Sequence, residues 1–264
     1  LLIPIPDVQS GPDDRELPID RVGIKGLRYP LRFADGDDIG QPTIATCNVY
    51  VSLPEDRKGT HMSRLVALLE TRTEPASPPL TIDGVHALLD DLVALLDAPD
   101  GRIEMAFPFF VSKNAPVSGV ASRLDYDVRI EAEVVGGEYR LVITVAVPVT
   151  SLCPSSKEIS EYGAHNQRSL IVIAARPRAS IRLMDLIRIA EEEASCELFG
   201  LLKRADEKYV TEHAYNHPRF VEDLVRGVAA RLIADDRIDG FVVEAENFES
   251  IHNHSAYARI ARGL

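Results

Sequence analysis

Cysteine is scarce in this chain, acidic residues outnumber basic ones, and no apolar run approaches the length of a membrane span. The three thiols, Cys47, Cys153 and Cys196, are odd in number and far apart. They do not make a disulfide framework, and such thiols fit a reducing cytoplasm. With 29 Lys and Arg against 41 Asp and Glu, the formal net charge is −12. No broad basic face is available to neutralise a phosphate backbone, which excludes nucleic acid as a partner class. Small anions stay open, because local basic clusters focus positive potential inside a cleft. A spanning helix needs about 20 consecutive apolar residues, and none of that length occurs. The apolar start, Leu1 to Ile5, has no basic region before it and no small-residue cleavage site after it, so neither a membrane anchor nor a secretory leader is expected.

What is present is an ordinary globular composition, 45% hydrophobic and 27% charged over 264 residues, enough for one large domain or two modest ones. Residues 1–18 read as an extended arm rich in Pro, Gly and Asp. Gln41 to Leu53 alternates as a strand, with Thr43, Ala45, Cys47, Val49 and Val51 on one side. Helices follow at Met62 to Thr71 and at 81–96, the second capped by Thr81. Strands are predicted at 102–111, 125–135, 139–149 and 168–176, with a Gly136-Gly137 turn before the third. A helix at about 181–202, another at about 218–235 and strands at 239–246 and 255–262 complete the chain. Two modules, 19–136 and 137–264, thus share one order of elements, strand–strand–helix–helix–strand–strand, without a visible sequence repeat. That order predicts an α+β fold of antiparallel sheets with helices on one face. Its open sheet edges call for closure by oligomerisation.

Chemistry concentrates in the polar segment between the two central apolar runs, Ser151-Leu-Cys-Pro-Ser-Ser-Lys-Glu-Ile-Ser-Glu-Tyr-Gly-Ala-His165-Asn-Gln-Arg168. Cys153 and His165 stand at opposite ends of a loop between paired strands, where they can face one point. Thiolate and imidazole suit a borderline-soft divalent metal, and equally a nucleophilic thiol with a base beside it. Glu207, just beyond the helix predicted to end near Leu202, can complete a Cys–His–Glu set, although as a single residue it is also one charge in a solvated run. Glu222 falls in the first turns of a helix. There it complements the dipole, or accepts two parallel hydrogen bonds from a planar amidine-like edge. His252 and His254, spaced for the same side of an extended segment, suit metal, proton transfer or phosphate. In Lys58-Gly-Thr-His-Met-Ser-Arg64, His61 lies at a helix start where backbone N–H groups with Lys58 or Arg64 can hold phosphate, but Lys-Gly-Thr is too short for a phosphate-loop motif. Cys47 and Cys196 read as core.

Taken together, Asp7-Val-Gln, Lys58-Gly-Thr-His-Met-Ser-Arg64, Ser151-Leu-Cys-Pro, Ser156-Lys-Glu-Ile-Ser, Tyr162-Gly-Ala-His-Asn-Gln-Arg168, Asp206-Glu-Lys-Tyr-Val210 and Glu246-Asn-Phe-Glu-Ser-Ile-His-Asn-His254 resemble GTP cyclohydrolase type IB, the metal-promiscuous bacterial form related to the archaeal enzyme. The resemblance runs through essentially the whole chain. It implies a tunnelling fold with two ββααββ modules, a homotetramer with sites at subunit interfaces, and conversion of GTP to 7,8-dihydroneopterin triphosphate and formate. It implies one divalent metal per site (Zn, Mn or Fe) on Cys153, His165 and Glu207, and Glu222 as the purine anchor. Glu249, His252 and His254 would lie near the reacting ring or the phosphates, with Lys58, His61, Arg64, Lys157 and Arg168 as substrate contacts. One position departs from the family: its Cys-Pro-Cys is here Cys153-Pro-Ser155. Ser155 therefore occupies the place of a candidate second metal contact or proton-transfer group, and its hydroxyl cannot serve as a thiolate. Two other readings compete: a tunnelling-fold nitrile reductase with Cys153 as nucleophile, and a purine or pterin binder silenced by the loss of the second thiol.

Overall fold

The computed structural model describes residues 9, 11–36, 39–71 and 77–264. Most of the arm read from the sequence, including Asp7 and Val8 of the matched stretch, lies outside the described residues. The chain divides into two compact units, Leu1–Phe107 with Arg129–Leu141, and Pro108–Val128 with Val142–Leu264.

Its elements run β1 (Ile19–Phe33), β2 (Gln41–Leu53), α1 (Met62–Glu70), α2 (Ile82–Leu96), β3 (Gly101–Asn114), β4 (Ala121–Val135), β5 (Glu138–Leu152), α3 (Pro154–Ile159), β6 (Asn166–Pro177), α4 (Leu183–Glu193), β7 (Cys196–Glu197), α5 (Arg204–Asn216), α6 (Val221–Ala234), β8 (Ile238–Asn247) and β9 (Ala256–Arg262). The strand order is β1-β2-β3-β4-β5-β6-β8-β9, with β7 on β5. The pairings of β1 with β2, β2 with β3, β5 with β6, β6 with β8 and β8 with β9 are all antiparallel. The α+β class read from the sequence is the observed one.

Alternation sets which sheet face is covered. In the first unit Ala45, Cys47, Val49 and Val51 of β2 are buried with Leu65 of α1 and Leu89 and Leu92 of α2. In the second, Ile143, Val145, Val147 and Val149 of β5 line up with Ile171 and Ile173 of β6 and Val243 of β8, and Leu186, Leu224 and Val228 of the helices are buried with them. Each Val, Leu and Ile among them contributes about 1.5–3 kcal/mol on leaving water, which holds the sheet under the loops that follow.

The second unit departs from a simple ββααββ order. The helix predicted at about 181–202 ends at Glu193, and a separate α5 begins at Arg204. The break is a tertiary effect. Ser195 donates its N–H to the carbonyl of Thr150 at 3.0 Å and accepts from Leu152 N at 3.0 Å, and Cys196 and Glu197 pair with β5. Sheet pairing at that point outweighs the helical pattern. Inside the polar loop, α3 adds a further short helix.

Candidate functional site

The loop between β5 and β6 is closed at its base by strand pairing. Leu152 faces Asn166 in register, and Cys153 N donates to the carbonyl of His165 at 3.1 Å. The two chemically distinctive residues are therefore held at the two ends of one loop. Cys153 caps α3, with Sγ accepting from Ser156 N at 3.4 Å, and Pro154 starts the helix where its missing N–H costs nothing. The Ser156 hydroxyl ties the ends again: it donates to the Cys153 carbonyl at 3.1 Å and accepts from His165 N at 3.2 Å.

The thiol is half-buried, in contrast to Cys47 and Cys196 in the core. Burial pushes both core thiols up to about 11, with the Glu197 charge adding to the effect at Cys196. They are inert at neutral pH, as their apolar positions in the sequence imply.

His165 is oriented from behind. Its Nδ1 lies 2.9 Å from Gln167 Oε1, while Glu249 Oε2 stands 4.0 Å from the same nitrogen, beyond hydrogen-bond reach. Gln167, Ser151, Ser169 and Asn247 continue inward as a file of buried polar side chains. None of these four stands out as a site residue in the sequence reading. The signal was there, however: Ser151 shares the parity of Val147 and Val149, and Gln167 and Ser169 share that of Ile171, so polar groups occupy core positions.

Other nominated residues of this unit surround the loop unevenly. Arg219 N donates to the Leu152 carbonyl at 2.9 Å, and its Nε donates to the carbonyl of Glu193 at 3.1 Å. These bonds fix the start of α6, and with it Glu222, against the end of β5. Glu222 is exposed on the first turn, and its carboxylate has no hydrogen bond or ion pair among the described residues. Arg168 is exposed on β6 with a guanidinium equally without a partner there. Lys157 is already engaged: its ammonium donates to the carbonyl of Tyr215 and lies 4.3 Å from that residue's ring centroid. His252 and His254 are exposed and stacked on each other at 5.1 Å. Ser155 is exposed on α3.

Glu207 is exposed in the first turn of α5. Among the described residues, no three His, Cys, Asp or Glu side chains gather to hold a metal, so a single chain does not bring Glu207 to Cys153 and His165. Its neighbour Asp206 is fully buried and anchors the turn. It accepts from Val117 N and Ser118 N at 2.8 Å each, from Ser118 Oγ at 2.6 Å and from Lys203 N at 2.9 Å. Burial alone would raise its carboxyl, but the Ser118 hydroxyl and the three N–H groups outweigh that and hold it well below the usual carboxylate range. The sign follows: stability from Asp206 is fully present above the unfolded pKa of about 3.9 and is lost as pH falls below it toward the folded value. Asp206→Asn is expected to lower the melting temperature at neutral pH, with the gap to wild type narrowing toward pH 3. A gap independent of pH in thermal melts would show that the charge is not what anchors the turn.

The remaining nominated residues, Lys58, His61 and Arg64, belong to the first unit. His61 and Arg64 line a cleft of 340 Å³ at the start of α1, beside Arg57, which is paired with Asp97. That helix has no acidic residue in its first turn and no side-chain cap, which leaves its N-terminal field available to an anion. A second cleft, 590 Å³ in the other unit, holds none of the residues predicted for the site; on its wall the buried Lys113 pairs with Glu191 and with the partly exposed Glu197.

The donor chemistry at the loop fits a divalent metal in part. A half-buried thiol and an imidazole bonded through Nδ1 are two donors of the kind divalent metals take. Residues 5–258 match the family described as type I GTP cyclohydrolase folE2. A "GTP cyclohydrolase FolE2" of Burkholderia ambifaria (strain MC40-6) is 59% identical over 258 residues, covering 98% of this chain and 94% of that one. The protein of the same name from Burkholderia pseudomallei (strain 1710b) is 58% identical over 258 residues, 98% of this chain and 96% of that one. Among solved structures, a highly active BTUO mutant superposes with a TM-score of 0.50 at 7% identity, covering 92% of this chain and 99% of that one, a likeness of fold alone.

Proposed function

The chain belongs to the type I GTP cyclohydrolase FolE2 family, and on that premise we propose that it hydrolyses GTP at purine C8, releases formate and recloses the ring as 7,8-dihydroneopterin triphosphate, at the entry to folate synthesis. The observation that carries this reading is the half-buried Cys153 thiol held across one loop base from His165, whose Nδ1 is already bonded.

Cys153, His165 and Glu207 would hold a divalent ion, zinc, manganese or iron, with Glu207 brought in on assembly. When bound, such an ion acidifies water and polarises the ring under attack. The chain's own residues do the rest. Glu222, without a partner among the described residues, accepts the guanine N1–H and N2–H₂ and fixes C8 over the loop. Glu249 takes and returns protons as the ring opens, a role supported by its 4.0 Å separation from the His165 ring, with His252 and His254 beside it in sequence. Arg168 is the triphosphate contact in the second unit, and Lys58, His61 and Arg64 are substrate contacts in the first; Lys157 contributes only if it leaves the Tyr215 carbonyl. Ser155 stands where the family carries a second thiol and takes no thiolate role. We further infer a cytoplasmic homotetramer, a reading supported by the outer edges of β1 and β9 at the two ends of the strand order.

The test is incubation of metal-free protein with GTP and added Zn²⁺, Mn²⁺ or Fe²⁺. Formate and a pterin that fluoresces after oxidation are expected with at least one metal. Tight GTP binding without formate under all three would sink the hydrolase reading in favour of a silent binder.

A further inference from the structure

We infer that the file Gln167–Ser151–Ser169–Asn247 is a positioning device that sets the tautomer of His165, leaving Nε2 as a bare lone pair. All four side chains are buried, at 7%, 0%, 1% and 3% exposure, and they come from three strands, β5, β6 and β8. The hydrogen bonds run in one direction. Ser169 Oγ donates to Asn247 Oδ1 at 2.7 Å, which spends its proton. Ser151 Oγ, 2.8 Å from Ser169 Oγ, must then be the donor of that pair. Gln167 Nε2 donates to Ser151 Oγ at 2.8 Å, so the amide presents its other end, Oε1, to the ring. A carbonyl only accepts, and the partner at 2.9 Å is His165 Nδ1; that nitrogen carries the proton.

The polarity matters because the file has a mirror arrangement. With Asn247 and Gln167 both turned over and both hydroxyls rotated, each hydrogen bond along the file is again made, but Gln167 then donates to Nδ1 and the proton moves to Nε2. Such a ring cannot offer Nε2 to anything electrophilic. What His165 presents in the loop is therefore tied to which end of the Asn247 amide meets Ser169 Oγ, and that end is the accepting Oδ1. Four buried polar groups in a row are costly to a core unless each is satisfied, and this geometry gives the arrangement a purpose beyond packing. Only what the free nitrogen binds rests on the metal reading above; the tautomer does not.

The experiment uses the full-length, metal-free protein at about pH 8, where an ordinary imidazole is neutral. Two-bond ¹H–¹⁵N spectra of the His165 ring give the protonated nitrogen directly, and zinc titration gives affinity. Wild type and Asn247→Asp, whose carboxylate only accepts and keeps the polarity, are expected to show Nδ1–H and a bare Nε2. Gln167→Leu is expected to show both tautomers and zinc affinity lower by roughly 10–100-fold, the usual cost of losing a ligand's outer hydrogen bond. A bare Nδ1 in wild type, or an unchanged tautomer in Gln167→Leu, would overturn the inference. If Gln167→Leu does not fold, Asn247→Leu, at the far end, must give the mixed tautomers instead. Wild type that binds no zinc would defeat the functional reading, while the spectra would still decide this one.

Discussion

Cys153→Ser is expected to cut formate release from GTP by about 10³-fold while leaving the fold intact. Serine is among the preferred helix caps, so the hydrogen bond that Cys153 Sγ now accepts from Ser156 N is kept by the shorter hydroxyl, and α3 should not unravel. What disappears is the only half-exposed thiol of the chain; Cys47 and Cys196 are buried and cannot replace it. A metal's stabilisation of developing charge is worth several kcal/mol, and about 4 kcal/mol corresponds to the 10³-fold loss. GTP affinity should change little, because the proposed anchors, Glu222 and the basic residues, lie on other elements. The measurements are metal content by mass spectrometry, formate release and nucleotide binding, with a melting curve as the control for folding. Full metal occupancy and activity in the variant would remove Cys153 from the site.

Much of the frame was legible from periodicity. β2 begins and ends at the residues read from its alternation, and α1, α2 and α6 lie within a few residues of their predicted spans, because their apolar stripes are what the sheet covers. α5 was not legible. Its sequence, Arg204 to Asn216, is polar nearly all round, and only Asp206 and Ala214 are buried. Such a helix is placed by its neighbours, here by the Asp206 carboxylate gripping the turn at Val117 and Ser118, a contact between residues far apart in sequence. The break after Glu193 was hidden for the same reason, since it depends on Ser195 and Cys196 finding β5.

The site shows the same division. Cys153 and His165 were legible because loop ends between paired strands must meet, and the register of Leu152 with Asn166 brings them together. The supporting file was overlooked because serine and glutamine in a strand look like solvent-facing positions until their parity is compared with the core. Glu207 marks a limit of another kind. It is exposed, and among the described residues no three His, Cys, Asp or Glu side chains gather at one point, so the proposed third ligand is not brought in within a single copy.

Glu222→Gln is expected to weaken GTP binding by roughly 10²–10³-fold with metal content unchanged. Two explanations compete for an acid in the first turn of a helix, the helix dipole and the guanine edge, and the choice between nucleotides separates them. The capping task at α6 is performed by Asp223, which accepts from Phe220 N at 2.8 Å. Glu222 is left exposed, with no partner among the described residues, on a helix whose start is bolted to the Leu152 carbonyl by Arg219 N. A carboxylate so held matches the two parallel donors of a guanine edge. Glutamine keeps one acceptor and turns an NH₂ toward the second donor, losing a charge-assisted bond and opposing two donors, a cost of about 3–4 kcal/mol. Inosine triphosphate, which lacks the 2-amino group, gives the sharper control. Its binding should be weaker than that of GTP to the wild type, and the preference should largely vanish in the variant, since the missing donor no longer has a matching acceptor. An acid that served only the helix dipole would instead change stability by under about 1 kcal/mol and leave the choice between the two nucleotides untouched.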